Sequence, residues 1–163
     1  LSLSLSLSLS LFFLITTTKG RDTVGPTVFL PQRQFWNPGS INWNPSKPDP
    51  SDFGIWTAAY DVSGIRSVTL MIRISPGRKV PAKANKVYAG GIWKGLSMKR
   101  VPLTGPLAPT TDPLPDYIAD LFQANVTGVT QSLVDYYVQA VDSLGNIRNS
   151  PLQHVYVANK VAL

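Results

Sequence analysis

Two stretches of the chain alternate apolar and polar residues with the period of two that marks a β-strand buried on one face. They cover residues 67–75 and 133–142. Their apolar positions are Val68, Leu70, Ile72 and Ile74 in the first, and Val134, Tyr136, Val138 and Ala140 in the second. We therefore expect two half-buried strands whose apolar sides meet as the opposed inner layers of two stacked antiparallel sheets.

Shorter apolar runs predict further strands, and clusters of Pro, Gly, Asn and Asp predict the turns and loops between them. One more strand, residues 53–60, places Phe53, Ile55, Thr57 and Ala59 on one face. The remaining predicted strands are 27–30, 86–89, 92–101, 122–126 and 152–158, the predicted loops are 32–52, 75–84 and 103–115, and a single helical turn is predicted over 116–121. About seven strands separated by turn-rich segments indicate an all-β fold, an antiparallel sandwich, rather than a parallel sheet with crossover helices.

Two motifs carry a resemblance to a known family. The run from Ala59 to Ile65, with Asp61-Val62-Ser63-Gly64 at its centre, and the run from Val134 to Asp142 followed by Gly145-Asn146 resemble the B-to-C and F-to-G portions of fibronectin type III and bacterial Ig-like domains. The resemblance implies an Ig-like antiparallel β-sandwich with long loops over residues 23–160. It also makes Trp56 the candidate for the tryptophan of the early sandwich core.

The opening run of the module has a second resemblance. Residues 25–33, together with Trp36-Asn37-Pro38-Gly39, are similar to accessory modules of secreted carbohydrate-active enzymes or surface proteins. This implies a non-catalytic module of a larger secreted or cell-surface protein, acting as a spacer or as a ligand-binding domain for a carbohydrate. The implied partners are a neighbouring domain of the same polypeptide and a glycan or protein surface. A fold does not supply a function, so a structural adhesion domain ordered by Ca²⁺ is the alternative.

Residues 1–22 form a low-complexity leader in which Leu and Ser alternate without exception over the first eleven positions. Three interpretations stay open: a translated dinucleotide repeat, a truncated signal peptide and a membrane anchor. A membrane span needs about 20 predominantly apolar residues, and the serines weaken that interpretation. We expect no stable membrane insertion of the folded domain.

Composition and charge agree with an all-β module. Glutamate is absent, and 14 prolines with 12 glycines disfavour helices and supply turns. The chain has no cysteine, so its core must form without disulfides or thiolate metal sites. The formal net charge is +6, but Lys and Arg are scattered and show no nucleic-acid motif. Nucleic acid is therefore not an expected partner.

The sequence offers no catalytic constellation. His154 is the single histidine and has no Ser or Asp beside it that would indicate a triad, and the nine acidic residues are all Asp, mostly in turns. We expect no enzyme activity and no cofactor.

Three groups of residues are candidates for binding or modification. The aromatic residues of the loops can stack on a sugar face or anchor a protein surface, or else cover the open ends of the sandwich. In two turns, side-chain oxygens could converge as Ca²⁺ ligands or bond the local backbone. One tripeptide, Asn125-Val126-Thr127, is an N-glycosylation pattern. The aromatic candidates are Phe35, Trp36, Trp43, Tyr88 and Trp93, and the metal candidates are Asp61, Asp142 and Asn146.

Overall fold

The computed structural model describes residues 22–34, 40–41, 52–78 and 92–157, and it is all-β. Within these ranges it has eleven strand segments and one short 3-10 helix, Gly105–Leu107. The strands are β1 Thr27–Val28, β2 Gln32–Arg33, β3 Ser40–Ile41, β4 Phe53–Tyr60, β5 Ile65–Pro76, β6 Lys94–Ser97, β7 Lys99–Val101, β8 Asp120–Val126, β9 Ser132–Asp142, β10 Ile147–Asn149 and β11 Gln153–Val157. In the described part of the chain, no helix has the length and apolar character of a membrane span.

The strands form two sheets. The five-stranded sheet has the order β1-β4-β8-β7, with β2 paired to β4, and the six-stranded sheet has the order β3-β11-β9-β5-β6, with β10 paired to β9. All pairs are antiparallel except β3 with β11, which is parallel. The predicted all-β sandwich is therefore confirmed.

The strand order is that of an Ig-like sandwich. If β1, β4, β8 and β7 are read as strands A, B, E and D, the first sheet has the A-B-E-D order of the immunoglobulin fold. If β11, β9 and β5 are read as G, F and C, the second sheet has the remaining strands in their usual order. The assignment to fibronectin type III within this class stays a prediction.

The two clearest strands of the sequence lie side by side rather than face to face. β5 pairs with β9 over almost its whole length, and Leu70 is directly opposite Val138 in the ladder. Both side chains are fully buried, so the predicted inner faces are right, but the expectation that they meet from opposite sheets is wrong. Alternation reports which face of a strand is buried, and it carries no information about which strand lies beside it.

The opposing layer of the core comes from β4 and β8. Phe53, Ile55 and Ala59 of β4 are buried, as the alternation predicts, and Phe122 and Val126 of β8 join them in one cluster with the inner residues of β5 and β9. Ile74 lies beyond this cluster near the end of β5 and is 43% exposed, contrary to its predicted burial. The strand therefore extends past the edge of the core.

The chain passes from one sheet to the other at a single residue between β6 and β7. β6 pairs with β5 of the larger sheet, and β7 pairs with β8 of the smaller sheet. Met98, between them, is buried in the core and donates its backbone N–H to the carbonyl of Val68. Its side chain belongs to the same hydrophobic cluster as the inner residues of both sheets.

β10 and β11 lie along the same side of β9, as one strand interrupted at residues 150–152. β10 and β11 both pair with β9, at residues 139–141 and 132–136 respectively. Between them, the Ser150 hydroxyl accepts a hydrogen bond from the backbone N–H of Val138 at 2.9 Å. The side chain thereby maintains the pairing where Pro151 cannot donate a ladder bond.

Several local predictions were wrong. Trp56 points to the outer face of the smaller sheet and is 42% exposed, so it is not the core tryptophan. Residues 116–119 form no helical turn, and β8 begins at Asp120. Segments β2 and β3 lie within the predicted loop 32–52. Tertiary pairing, rather than local pattern, creates such two-residue strands. The predicted strand 86–89 lies outside the described residues.

Candidate functional site

Most of the predicted aromatic ligand site falls outside the part of the chain that the structure describes. This applies to Phe35, Trp36, Trp43 and Tyr88. Trp93 is described, and it lies directly before β6. The loop-aromatic site as a whole stays a prediction.

Trp93 packs against its neighbours. Its ring lies 5.0 Å from the ring of Tyr137 in an edge-to-face arrangement. The Arg73 guanidinium carbon lies 5.0 Å from the Trp93 centroid, within the range of a cation–π contact. A guanidinium on one face of the indole leaves at most the other face for a ligand. The geometry is therefore the one expected of a ring that covers the sheet.

Beneath Trp93, three charged or titratable side chains form a row across the larger sheet. Arg73 of β5 and His154 of β11 are both directly opposite Asp135 of β9. The Asp135 carboxylate accepts a hydrogen bond from Arg73 Nε at 2.9 Å, and its other oxygen lies 2.5 Å from His154 Nδ1. Asp135 is only 1% exposed although it points away from the hydrophobic core. We call Arg73, Asp135 and His154 the ion row.

Sequence reasoning missed the ion row because its members are 62 and 19 positions apart along the chain. The sequence has no Asp next to His154, but the pairing of β9 with β11 places Asp135 directly opposite it. The sequence did contain a signal of the buried Asp135. On the outward side of this strand, the residues before and after it, Leu133 and Tyr137, are apolar or aromatic. Both of these are also buried, so β9 is enclosed on its two faces.

Two of the predicted metal candidates converge at one end of the sandwich. One carboxylate oxygen each from Asp22, Asp61 and Asp142 lies within 4.8 Å of the others. Asn146 joins them by donating from Nδ2 to Asp142 Oδ2 at 2.7 Å and to the backbone carbonyl of Asp22 at 3.1 Å. Asp22 was not among the predicted residues, since it precedes every strand and belongs by sequence to the leader.

Two of these carboxylates, Asp61 and Asp142, also stabilise the turns in which they lie. Asp142 Oδ1 accepts the backbone N–H groups of Leu144 at 2.9 Å and Asn146 at 2.8 Å. Asp61 Oδ1 accepts both the N–H and the hydroxyl of Ser63, at 2.8 and 2.7 Å. Side chains of Asp that bond the backbone two residues ahead are a common device of tight turns. These oxygens therefore stabilise the turns whether or not a cation binds.

The pKa of Asp142 follows from these contacts. Burial raises the pKa of the carboxyl, but hydrogen bonds from Asn146, Gly145 and Leu144 lower it by more, so it lies below its ordinary value of 3.8. The fold thus favours the ionised carboxylate.

Asn125, the predicted glycosylation residue, lies on β8 directly opposite Gly54 of β4 and is exposed. Its side chain is on the outer face of the smaller sheet, since the alternate residues Ala124 and Val126 pack in the core. Modification of Asn125 stays a prediction.

The comparisons with known proteins give one informative similarity. No protein-family model matches the chain. The chain is similar to an alpha-amylase of Niallia circulans, with 28% identity over 176 residues. The similarity covers 84% of this chain and 13% of the amylase, so the chain spans about an eighth of the length of this relative. It relates the chain to a segment of a larger carbohydrate-active enzyme, as expected of an accessory module.

We expect the ion row to be a major determinant of stability. The substitution Asp135→Asn removes the negative charge that Arg73 and His154 contact, and breaking a buried ion pair costs about 3 kcal/mol. Urea unfolding at neutral pH checks this, with Asp116→Asn at an exposed position as the matched control. Equal stability of the two variants would show that the row contributes little.

The Asp142 turn predicts a pH-dependent stability. Because the pKa of Asp142 is lower in the folded state, the ionised carboxylate stabilises the fold above the ordinary value of 3.8, and this stabilisation is lost as the pH falls through the lower folded value. Asp142→Asn places an amide opposite the Asn146 donor and should be less stable than the wild type at neutral pH. In unfolding curves from pH 7 downward, the difference should narrow below pH 4. A difference that is constant with pH would contradict this assignment.

Proposed function

We propose that this chain is a non-catalytic Ig-like module of a larger secreted or cell-surface protein that acts on carbohydrate, where it binds glycan or spaces a neighbouring domain. The similarity to a segment of an alpha-amylase carries the proposal, because it covers most of this chain and a small part of the enzyme. A segment of this size is expected of one domain among several.

The architecture supports a module with a supporting or binding role. Both sheets contribute to one contiguous core, and the larger sheet is reinforced on its outer side by the ion row and Trp93. The single histidine, His154, is held against Asp135, which also accepts hydrogen bonds from Arg73. The three side chains of the ion row are thus bonded to one another. Such a row stabilises a sheet.

We expect the unglycosylated chain to bind a neutral polysaccharide. Insoluble starch is the first probe because the relative is an alpha-amylase, and barley β-glucan is the comparison. Retention of the protein on washed granules, measured at raised salt to screen the net charge of +6, should exceed that of serum albumin. Retention by neither polysaccharide would remove the binding role and leave the spacer role.

A second candidate function is a structural adhesion domain ordered by Ca²⁺. The observation that favours it is the approach of Asp22, Asp61 and Asp142 to within 4.8 Å. Carboxylate oxygens are the ligands that Ca²⁺ prefers, and a divalent cation would relieve the repulsion among three negative charges.

The calcium alternative predicts a shift in thermal stability. Millimolar Ca²⁺ should raise the melting temperature relative to a chelator control, and Mg²⁺ should have a smaller effect because it tolerates irregular oxygen sites poorly. The variant Asp61→Asn should abolish the shift, whereas the matched variant Asp120→Asn, outside the cluster, should retain it. Identical melting curves with Ca²⁺ and with chelator would eliminate this alternative and leave the aspartates as turn residues.

A further inference from the structure

The outer face of the five-stranded sheet exposes a tryptophan that has no bulky neighbour along its own strand. Three residues of β4, Gly54, Trp56 and Ala58, lie on the outer face and alternate with residues that point into the core. Gly54 has no side chain and Ala58 has a single methyl group, so neither can cover the sides of the indole. Trp56 is 42% exposed. Part of the indole is therefore accessible from the outer face of the sheet.

Amide side chains surround this ring. Gln32 of β2 and Gln123 of β8 are directly opposite Trp56 in the two adjoining ladders, and directly opposed residues share a face of the sheet. Three amides also converge over Gly54. A Cβ atom added there would lie 2.9 Å from Gln34 Oε1, 3.1 Å from Gln123 Nε2 and 3.4 Å from Asn125 Oδ1. We call Gln32, Gln34, Trp56, Gln123 and Asn125 the amide face.

The amide face continues into a cleft at the edge of the sandwich. Lys99 of β7 is directly opposite Gln123, so the row from Gln32 to Lys99 crosses four strands, or about 14 Å at the usual strand spacing. Where β6 and β7 pass from one sheet to the other, they border a cleft of about 700 Å³. Lys99, Gln123 and Asn125 line this cleft, so the face and the cleft share one wall.

The chemistry of this surface selects a neutral, hydroxyl-rich ligand. Each amide offers two N–H donors and a carbonyl acceptor, which matches hydroxyl groups that both donate and accept. No residue of the amide face is charged, and the charged residues that line the cleft, Lys99 and Arg100, are both basic. An exposed indole contributes a large rigid apolar area at low entropic cost, and its face fits the C–H side of a sugar ring.

We propose that the amide face is a glycan-binding site, in which a sugar ring of a neutral oligosaccharide stacks on Trp56 and its hydroxyls bond the flanking amides. This inference rests on the proposed carbohydrate-associated function and assigns the binding to the sheet rather than to the loop aromatics. The oligosaccharide extends across Gln123 toward Lys99 and the cleft.

The test measures binding of maltoheptaose and of starch granules to the full chain, produced without N-glycosylation because a glycan on Asn125 would occupy the same face. Trp56→Ala should weaken binding at least tenfold, since loss of a central aromatic anchor has effects of about this size. Gln123→Ala should weaken it by a smaller factor. Gln139→Ala removes a matched amide from the larger sheet and should bind as the wild type does. Melting curves of every variant report whether it is folded.

Further variants separate the failure of this inference from the failure of the proposed function. In one outcome, the wild type and Trp56→Ala bind equally well, whereas Trp36→Ala or Trp43→Ala does not bind. The module would then bind glycan through its loops, and the proposed site on the sheet would be wrong. If the wild type binds neither starch nor β-glucan, the binding role itself is wrong. Loss of binding in Trp56→Ala with an unchanged melting curve, alongside normal binding by the loop variants, supports the amide face.

Discussion

The pairing of β5 with β9 is the interaction on which the rest of this structure depends. The ladder runs from Ile65 to Pro76 with one irregularity, between Ile65 and Ser67. Its inner side supplies much of the core, and its outer side carries Arg73 and Asp135 as a direct cross-strand pair. The long ladder satisfies the backbone polar groups of the central strands, and the same register decides which side chains meet on both faces. A slip of one residue would expose the core and separate the ion row.

The two sheets differ in what their outer faces contain. On the larger sheet, Leu133, Asp135 and Tyr137 are buried beyond the core, and Trp93 with the ion row accounts for part of this enclosure. A carboxylate can be buried there because a guanidinium and an imidazole contact its oxygens. The smaller sheet has the opposite character, with Trp56 exposed among neutral amides. One outer face therefore carries the buried ion row, and the other presents a partly exposed tryptophan flanked by amides.

The features predicted correctly from the sequence are those that depend on residues close together in the chain. The bounds of β4 and the buried sides of β4 and β9 follow from local alternation, which depends only on the direction of successive side chains in an extended strand. Turns closed by Asp61 and Asp142 were also identifiable, since an Asp bonds backbone within a few residues. Strands of two or three residues, such as β2 and β10, have no pattern of their own and exist because a longer strand offers them a partner.

By itself, the sequence determined an all-β chain, the faces of its longest strands and the turn residues that later converge. It also supplied the resemblance that led to a carbohydrate-associated module. Only the tertiary structure decided that β5 and β9 are neighbours, that Asp135 meets Arg73 and His154, that Asp22 approaches Asp142, and that Trp56 is exposed beside Gln123. The physical reason is that alternation fixes the face of each residue, whereas the neighbour across a ladder is fixed by register between segments far apart in the chain.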